Sequence, residues 1–124
     1  MKIFQAIKQL DDLIQNTYST PNKVEWLSKL DNMVKKQIVD THEGAAEITF
    51  TGYDENTDPN TELLVPAPHD NMYLQWLEAQ IHYHNGEYDR YNNAIIMFNT
   101  TFGDYANHYN RTHMPKSEGK RFLF

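Results

Sequence analysis

Apolar side chains recur every three or four positions over four separate stretches, which is the period of one face of an α-helix. The strongest run is Tyr88, Tyr91, Ile95, Phe98, Phe102, Tyr105 and Tyr109. It is bounded by Asn85-Gly86 before it and by Asn110 to Pro115 after it, both of which read as helix stops. A second stripe, Met72, Tyr73, Trp76, Leu77, Gln80, Ile81 and His84, predicts a helix from near Pro68 to Asn85. Gly86 supplies a left-handed cap there, and Glu87 restarts the chain at once, so these two helices are expected to lie antiparallel.

Upstream, Ile3, Ile7, Leu10 and Ile14 mark a short helix over 3–14. Thr20 then offers an N-cap with Pro21 in the first helical position. The helix it opens runs to about 41, with Val24, Leu27, Leu30, Val34, Ile38 and Thr41 inward and Lys23, Lys29, Lys35 and Lys36 solvated. Trp26 falls off that stripe and faces a neighbouring helix or a partner. The most buried side chains are expected to be Leu27, Leu30, Val34, Trp76, Leu77, Ile81, Ile95, Phe98 and Phe102.

From Glu43 to Pro68 the helical period disappears. Ile48 to Tyr53 alternates and is β-prone, and Glu62 to Val65 is a second candidate strand. The turn-rich acidic stretch 54–61 lies between them. The segment 43–68 therefore reads as an arm or a β-hairpin at an interface, with Phe50 and Tyr53 as contact residues. On that reading, deleting residues 54–60 would spare helical content and impair assembly.

The fold expected from this pattern is mostly α: a small helical bundle with a C-terminal antiparallel helix hairpin and a long central arm or β-hairpin. Residues 1–115 form one helical domain, and 116–124 form a basic, aromatic-ended tail. The chain has 124 residues, enough for one core of its own. It has no cysteine, which excludes disulfides and thiolate chemistry. Residues 1–8 contain no unbroken apolar run, and no stretch approaches the roughly 20 apolar residues of a membrane span. The expectation is a soluble protein with no membrane partner.

The net charge of −6 is unevenly spread. Residues 40–90 carry eleven acids against one arginine, whereas 111–124 carry Arg111, Lys116, Lys120 and Arg121 against Glu118. An acidic body argues against a duplex-binding face, which needs broad positive charge. A short basic end, with Phe122 and Phe124 beyond it, points instead to docking on an acidic neighbour. Lys116, Lys120, Arg121, Phe122, Phe124 and Arg111 join Phe50 and Tyr53 as candidate interface residues.

Little in the chain resembles catalytic machinery. Asp54, Asn56, Asp58, Asn60 and Glu62 alternate oxygen ligands like a calcium loop, but Pro59 stands where the loop needs glycine. No two of the six histidines stand at the i, i+4 zinc spacing, and there is no cysteine to join them. Asp104 and His108 stand at i, i+4, the spacing of a surface ion pair. No phosphate loop, serine elbow or paired-carboxylate motif occurs. No catalytic, metal-binding or cofactor-binding residue is assigned, and no cofactor is expected.

Larger blocks carry a resemblance. Glu62-Leu63-Leu64-Val65-Pro66-Ala67-Pro68 leads into Tyr73-Leu74-Gln75-Trp76-Leu77-Glu78-Ala79-Gln80-Ile81. Asn85-Gly86-Glu87-Tyr88, Arg90-Tyr91-Asn92-Asn93, Phe98-Asn99 and the run from Tyr109 to Pro115 follow. With Trp26-Leu27-Ser28 and Thr41-His42, the pattern spans most of the chain. It resembles a family of small phage and prophage proteins of Gram-positive bacteria from the head-and-neck morphogenesis region, among which we place it with the head–tail connectors (adaptor or head-completion proteins). The resemblance implies a homo-oligomeric ring stacked on the portal protein and meeting a stopper or tail-completion protein. DNA would pass through the ring without specific binding. It also implies residence at the head–tail junction of the virion, after a stay in the host cytoplasm during assembly. It carries no active-site residues. Two other readings remain open: a small cytoplasmic phage accessory or regulatory protein that binds another protein, and a small metal-dependent enzyme using the histidines and the acidic loop.

Overall fold

The computed structural model describes residues 1–114. Four helices carry the fold: α1 (Ile3–Leu13), α2 (Thr20–Gln37), α3 (Asn71–His84) and α4 (Tyr88–Thr112). Short 3₁₀ turns at Val39–Thr41 and Ala45–Glu47 follow α2. Among the described residues there is no strand, so the fold is all-α. The tail 116–124, with the interface candidates Lys116, Lys120, Arg121, Phe122 and Phe124, lies outside the described residues.

Helix α3 ends where Gly86 turns left-handed at φ +76°. Gly86 N–H donates to the Tyr83 carbonyl (3.1 Å) and Glu87 N–H to that of His82 (2.9 Å), which closes the helix end within two residues. Ring pairs then fix how α3 and α4 run. Tyr83 meets Tyr88 and Tyr91, Trp76 meets Phe98, and His69, just before α3, meets Tyr105 and His108. Positions rise along one helix as they fall along the other, so the two lie antiparallel.

The core joins this pair to α1 and α2. Leu27, Leu30, Val34, Leu77, Ile81 and Phe98 are buried as their spacing predicts, together with Ile3, Ile7 and Leu10. Trp76, Ile95 and Phe102 are only half-buried, because α4 packs along one side of α3 and leaves its own flanks wet. Trp76 is nonetheless pinned, its indole N–H donating to the Trp26 carbonyl at 2.9 Å. Trp26 is itself buried, with its ring against Tyr18 (5.4 Å) and His84 (5.3 Å).

Several sequence expectations are corrected. Ser19, not Thr20, caps α2: its Oγ accepts from Asn22 N–H. The helix stops at Gln37 rather than 41, and Thr41 is exposed. Lys23 is not solvated; it is 3% exposed and held by Asp11 at 2.7 Å. Lys35 is partly buried beside Asp40.

The largest difference lies in 43–68. The two β-prone runs do not pair with each other, and a lone hairpin would be marginal in water. Each run instead takes its partners from a helix. Tyr53 N–H donates to Ser28 Oγ of α2 (3.0 Å). Further on, Glu62 forms an isolated antiparallel bridge with Lys2. Ile3 N–H donates to the Thr61 carbonyl (3.0 Å), Phe4 N–H to that of Pro59 (3.1 Å), and Leu63 N–H to that of Met1 (2.9 Å). The stretch is a strap over α1 and α2 whose carbonyls satisfy α1's first N–H groups, which no side chain caps.

This changes the expected effect of deleting residues 54–60. The deletion removes the Pro59 carbonyl and strains the Thr61 contact, so the start of α1 should fray. Hydrogen exchange should show lost protection at residues 3–6 with the α3 and α4 amides unaffected. Unchanged protection at Ile3 and Phe4 would show the strap to be dispensable to α1.

Candidate functional site

Asp31 faces inward from α2, on the same side as Leu27 and Val34, and is 0% exposed. Its carboxylate accepts three bonds: from Tyr73 OH of α3 (2.6 Å), from Tyr53 OH of the strap (2.5 Å) and from Leu64 N–H (3.1 Å). Tyr73 OH in turn accepts from Val65 N–H (2.8 Å). One buried acid thus ties α2, α3 and both limbs of the strap together.

The electrostatics follow from the burial. Desolvation raises the Asp31 carboxyl above its ordinary value, although all three donors pull the other way. Both phenols are raised as well, first by burial and then by the Asp31 charge. They remain neutral donors over the whole working pH range. An acid held by two neutral phenols and a backbone amide acts as a structural clasp across α2, α3 and the strap. Tyr73→Phe should cost about 1–3 kcal/mol in chemical denaturation, because Val65 N–H is left without its acceptor. A loss below about 0.5 kcal/mol would remove the phenol from the clasp.

A separate groove of about 580 Å³ opens between α1, the start of α2 and the strap. Its floor is apolar, built from Ile3, Ile7 and Val24, with Phe4, Pro21 and Pro59 as walls. Phe4 is 42% exposed, a large ring left half in water. Asp11, Asp12, Asp54, Glu55 and Lys8 stand around the rim. Lys8 pairs with Asp12 (3.1 Å) and Lys23 with Asp11. Asp54 and Glu55 have no basic partner among the described residues. Within the loop, Asp54 Oδ1 accepts from Asn56 N–H (2.8 Å) and Asp58 Oδ1 from Asn60 N–H (2.9 Å). Those oxygens are folded back onto their own turns. Among the described residues no three His, Asp or Glu side chains converge as metal ligands.

The opposite end of α2 meets the end of α4 through aromatic rings. His42 is buried, with Nδ1 2.6 Å from the Ile38 carbonyl and Nε2 2.7 Å from Asn110 Oδ1. Its ring stands edge-on to Tyr109, which stacks flat on His113 at 3.7 Å. His108 lies against His69 at 5.2 Å.

Helix α4 presents a different surface outward. No Asp, Glu, Lys or Arg occurs from Tyr91 to Gly103. Ile96 and Met97 are 61% and 59% exposed among exposed Asn92, Asn93, Asn99 and Thr100. Thr100 and Thr101 hydroxyls donate back to the Ile96 and Met97 carbonyls, so they offer little polarity to solvent. Beside Met97 and Ala94, Gln75 Oε1 is buried without a hydrogen-bond partner.

Of the interface residues expected from sequence, Phe50 and Tyr53 are brought together, with rings 5.0 Å apart and edge-on. Tyr53 is committed to Asp31 and is part of the fold, while Phe50 is half-buried beside Gly52 and Thr51 in a shallow cleft. Arg111 is exposed in the last turn of α4, far in sequence from both. Asp31, the groove and the α4 face were not singled out by sequence. Asp31 could have been: it stands at i+4 from Leu27 and within the buried period. No family model, curated protein or solved structure matches the chain. No helix among the described residues is long and apolar enough to cross a membrane.

Proposed function

We propose that the chain is a structural subunit of the phage head–tail connector, an adaptor that assembles as a ring on the portal and lets DNA pass. The observation that supports an assembly role best is the outer face of α4. Interface cores are depleted of charge and enriched in large apolar side chains such as methionine. In a chain of net charge −6, a 13-residue charge-free stretch that exposes Ile96 and Met97 is such a surface. The phage assignment rests on the sequence resemblance. The acidic body fits a channel wall that DNA slides past, since DNA affinity comes mainly from neutralised phosphates.

Mass spectrometry of purified particles from a phage carrying this gene tests the reading. The chain should be present in several copies per particle, at a fixed ratio to the portal protein. Particles that are complete and infectious without it would place the chain among accessory or regulatory proteins instead.

A further inference from the structure

The groove between α1, α2 and the strap has an apolar floor and an acidic rim, and the described residues leave it open. The sequence holds one segment of matching chemistry. Residues 116–124 carry Lys116, Lys120 and Arg121 against Glu118, then Phe122-Leu123-Phe124. Positive charge beside an aromatic run suits carboxylates around an apolar floor. We propose that this tail of one copy docks in the groove of a neighbouring copy, with its aromatic end on Ile7 and Val24 and its basic residues against Asp54 and Glu55. The proposal deepens, and rests on, the reading of the chain as a self-assembling subunit.

Chain geometry favours a neighbour over the same copy. The Met114 carbonyl accepts from Glu43 N–H at 2.8 Å, which places the start of the tail just past the C-terminal end of α2. The groove takes Pro21 and Val24 from the other end of α2. The rise of a helix puts Ile38 about 21 Å from Val24 along the axis. From Met114, a fully extended chain brings Phe122 at most about 26–29 Å. Docking on its own groove would therefore use most of that reach on a path over a curved surface. Docking on a neighbour carries no such limit. Donor and acceptor also lie at opposite ends of the subunit, so the contact is head-to-tail. Repeated with closing rotation, it makes a ring.

The test is a photo-cross-link in the full-length chain. Phe122 is replaced by benzoyl-phenylalanine, light and ¹⁵N-labelled proteins are mixed, and cross-linked peptides are mapped by mass. The expected products join residue 122 to peptides covering 3–8, 20–24 or 54–59, with one light and one heavy member. Glu55→Lys should lower their yield by up to about fivefold, the range of one exposed charge pair, and Lys120→Glu combined with it should restore part of the loss. Circular dichroism confirms that these exposed-site variants stay folded. Products carrying one isotope only, products mapping elsewhere, or no products near millimolar protein would each overturn the proposal. If cross-links fail while the chain still builds a ring on the portal, the groove assignment falls alone. If they form while particles lack the chain, tail docking stands and the connector reading falls.

Discussion

Asp31→Leu is expected to cost about 3–5 kcal/mol, because a buried donor left without its acceptor costs roughly 1–3 kcal/mol and three are orphaned at once. Tyr73 OH and Leu64 N–H donate only to Asp31 among the described residues, while half-buried Tyr53 recovers some water. In a domain whose whole stability is of order 5–15 kcal/mol, that is a large share, and a melting temperature lower by on the order of 10–20 °C should follow. Asp31→Asn should cost less, since one amide oxygen still accepts. The pH dependence has a definite sign. The Asp31 carboxyl lies above its ordinary 3.8 in the fold, chiefly through desolvation. A group raised in this way contributes stability that is full below its unfolded value and is lost as pH climbs through the raised one. The stability advantage of wild type over Asp31→Asn should therefore shrink as pH rises above 3.8. An advantage that grows with pH would mean that the three donors outweigh burial.

Phe98→Ala is expected to lose about 3–5 kcal/mol, the range for truncating a buried aromatic side chain. Phe98 is 5% exposed, between Trp76 (5.1 Å) and Phe102 (5.6 Å), at the middle of the α3–α4 contact. Neither neighbour can move into the space easily. Trp76 is held by its bond to the Trp26 carbonyl, and Phe102 is a full turn away on the same rigid helix. Equilibrium denaturation reads the loss directly. A value below about 1 kcal/mol would take Phe98 out of the core and weaken the packing described for the helix pair.

The helices were legible from sequence because their signals are local. The period-3.6 stripes placed α1, α3 and α4 within a few residues, and Gly86 marked the turn between the last two. The strap was not legible, because its partners are far away in sequence. Ile48 to Tyr53 and Glu62 to Val65 have the composition of strands, and only the positions of Ser28, Asp31 and Lys2 decide that helices take up their hydrogen bonds. Lys23 was read as solvated because a lysine on a polar helix face usually is; the carboxylate that covers it comes from α1. Tyr53 was read as an interface residue because it lies in the long non-helical stretch 43–68, but its hydroxyl is spent inside the fold. The groove arises from three elements packing together, so no single stretch announces it.

Electron microscopy of purified portal protein mixed with the full-length chain tests the proposed assembly most directly. The account predicts a closed ring of this protein stacked coaxially on the portal, with the outer face of α4 around Ile96 and Met97 covered by protein. A portal that stays bare at saturating concentrations of the folded chain would contradict it.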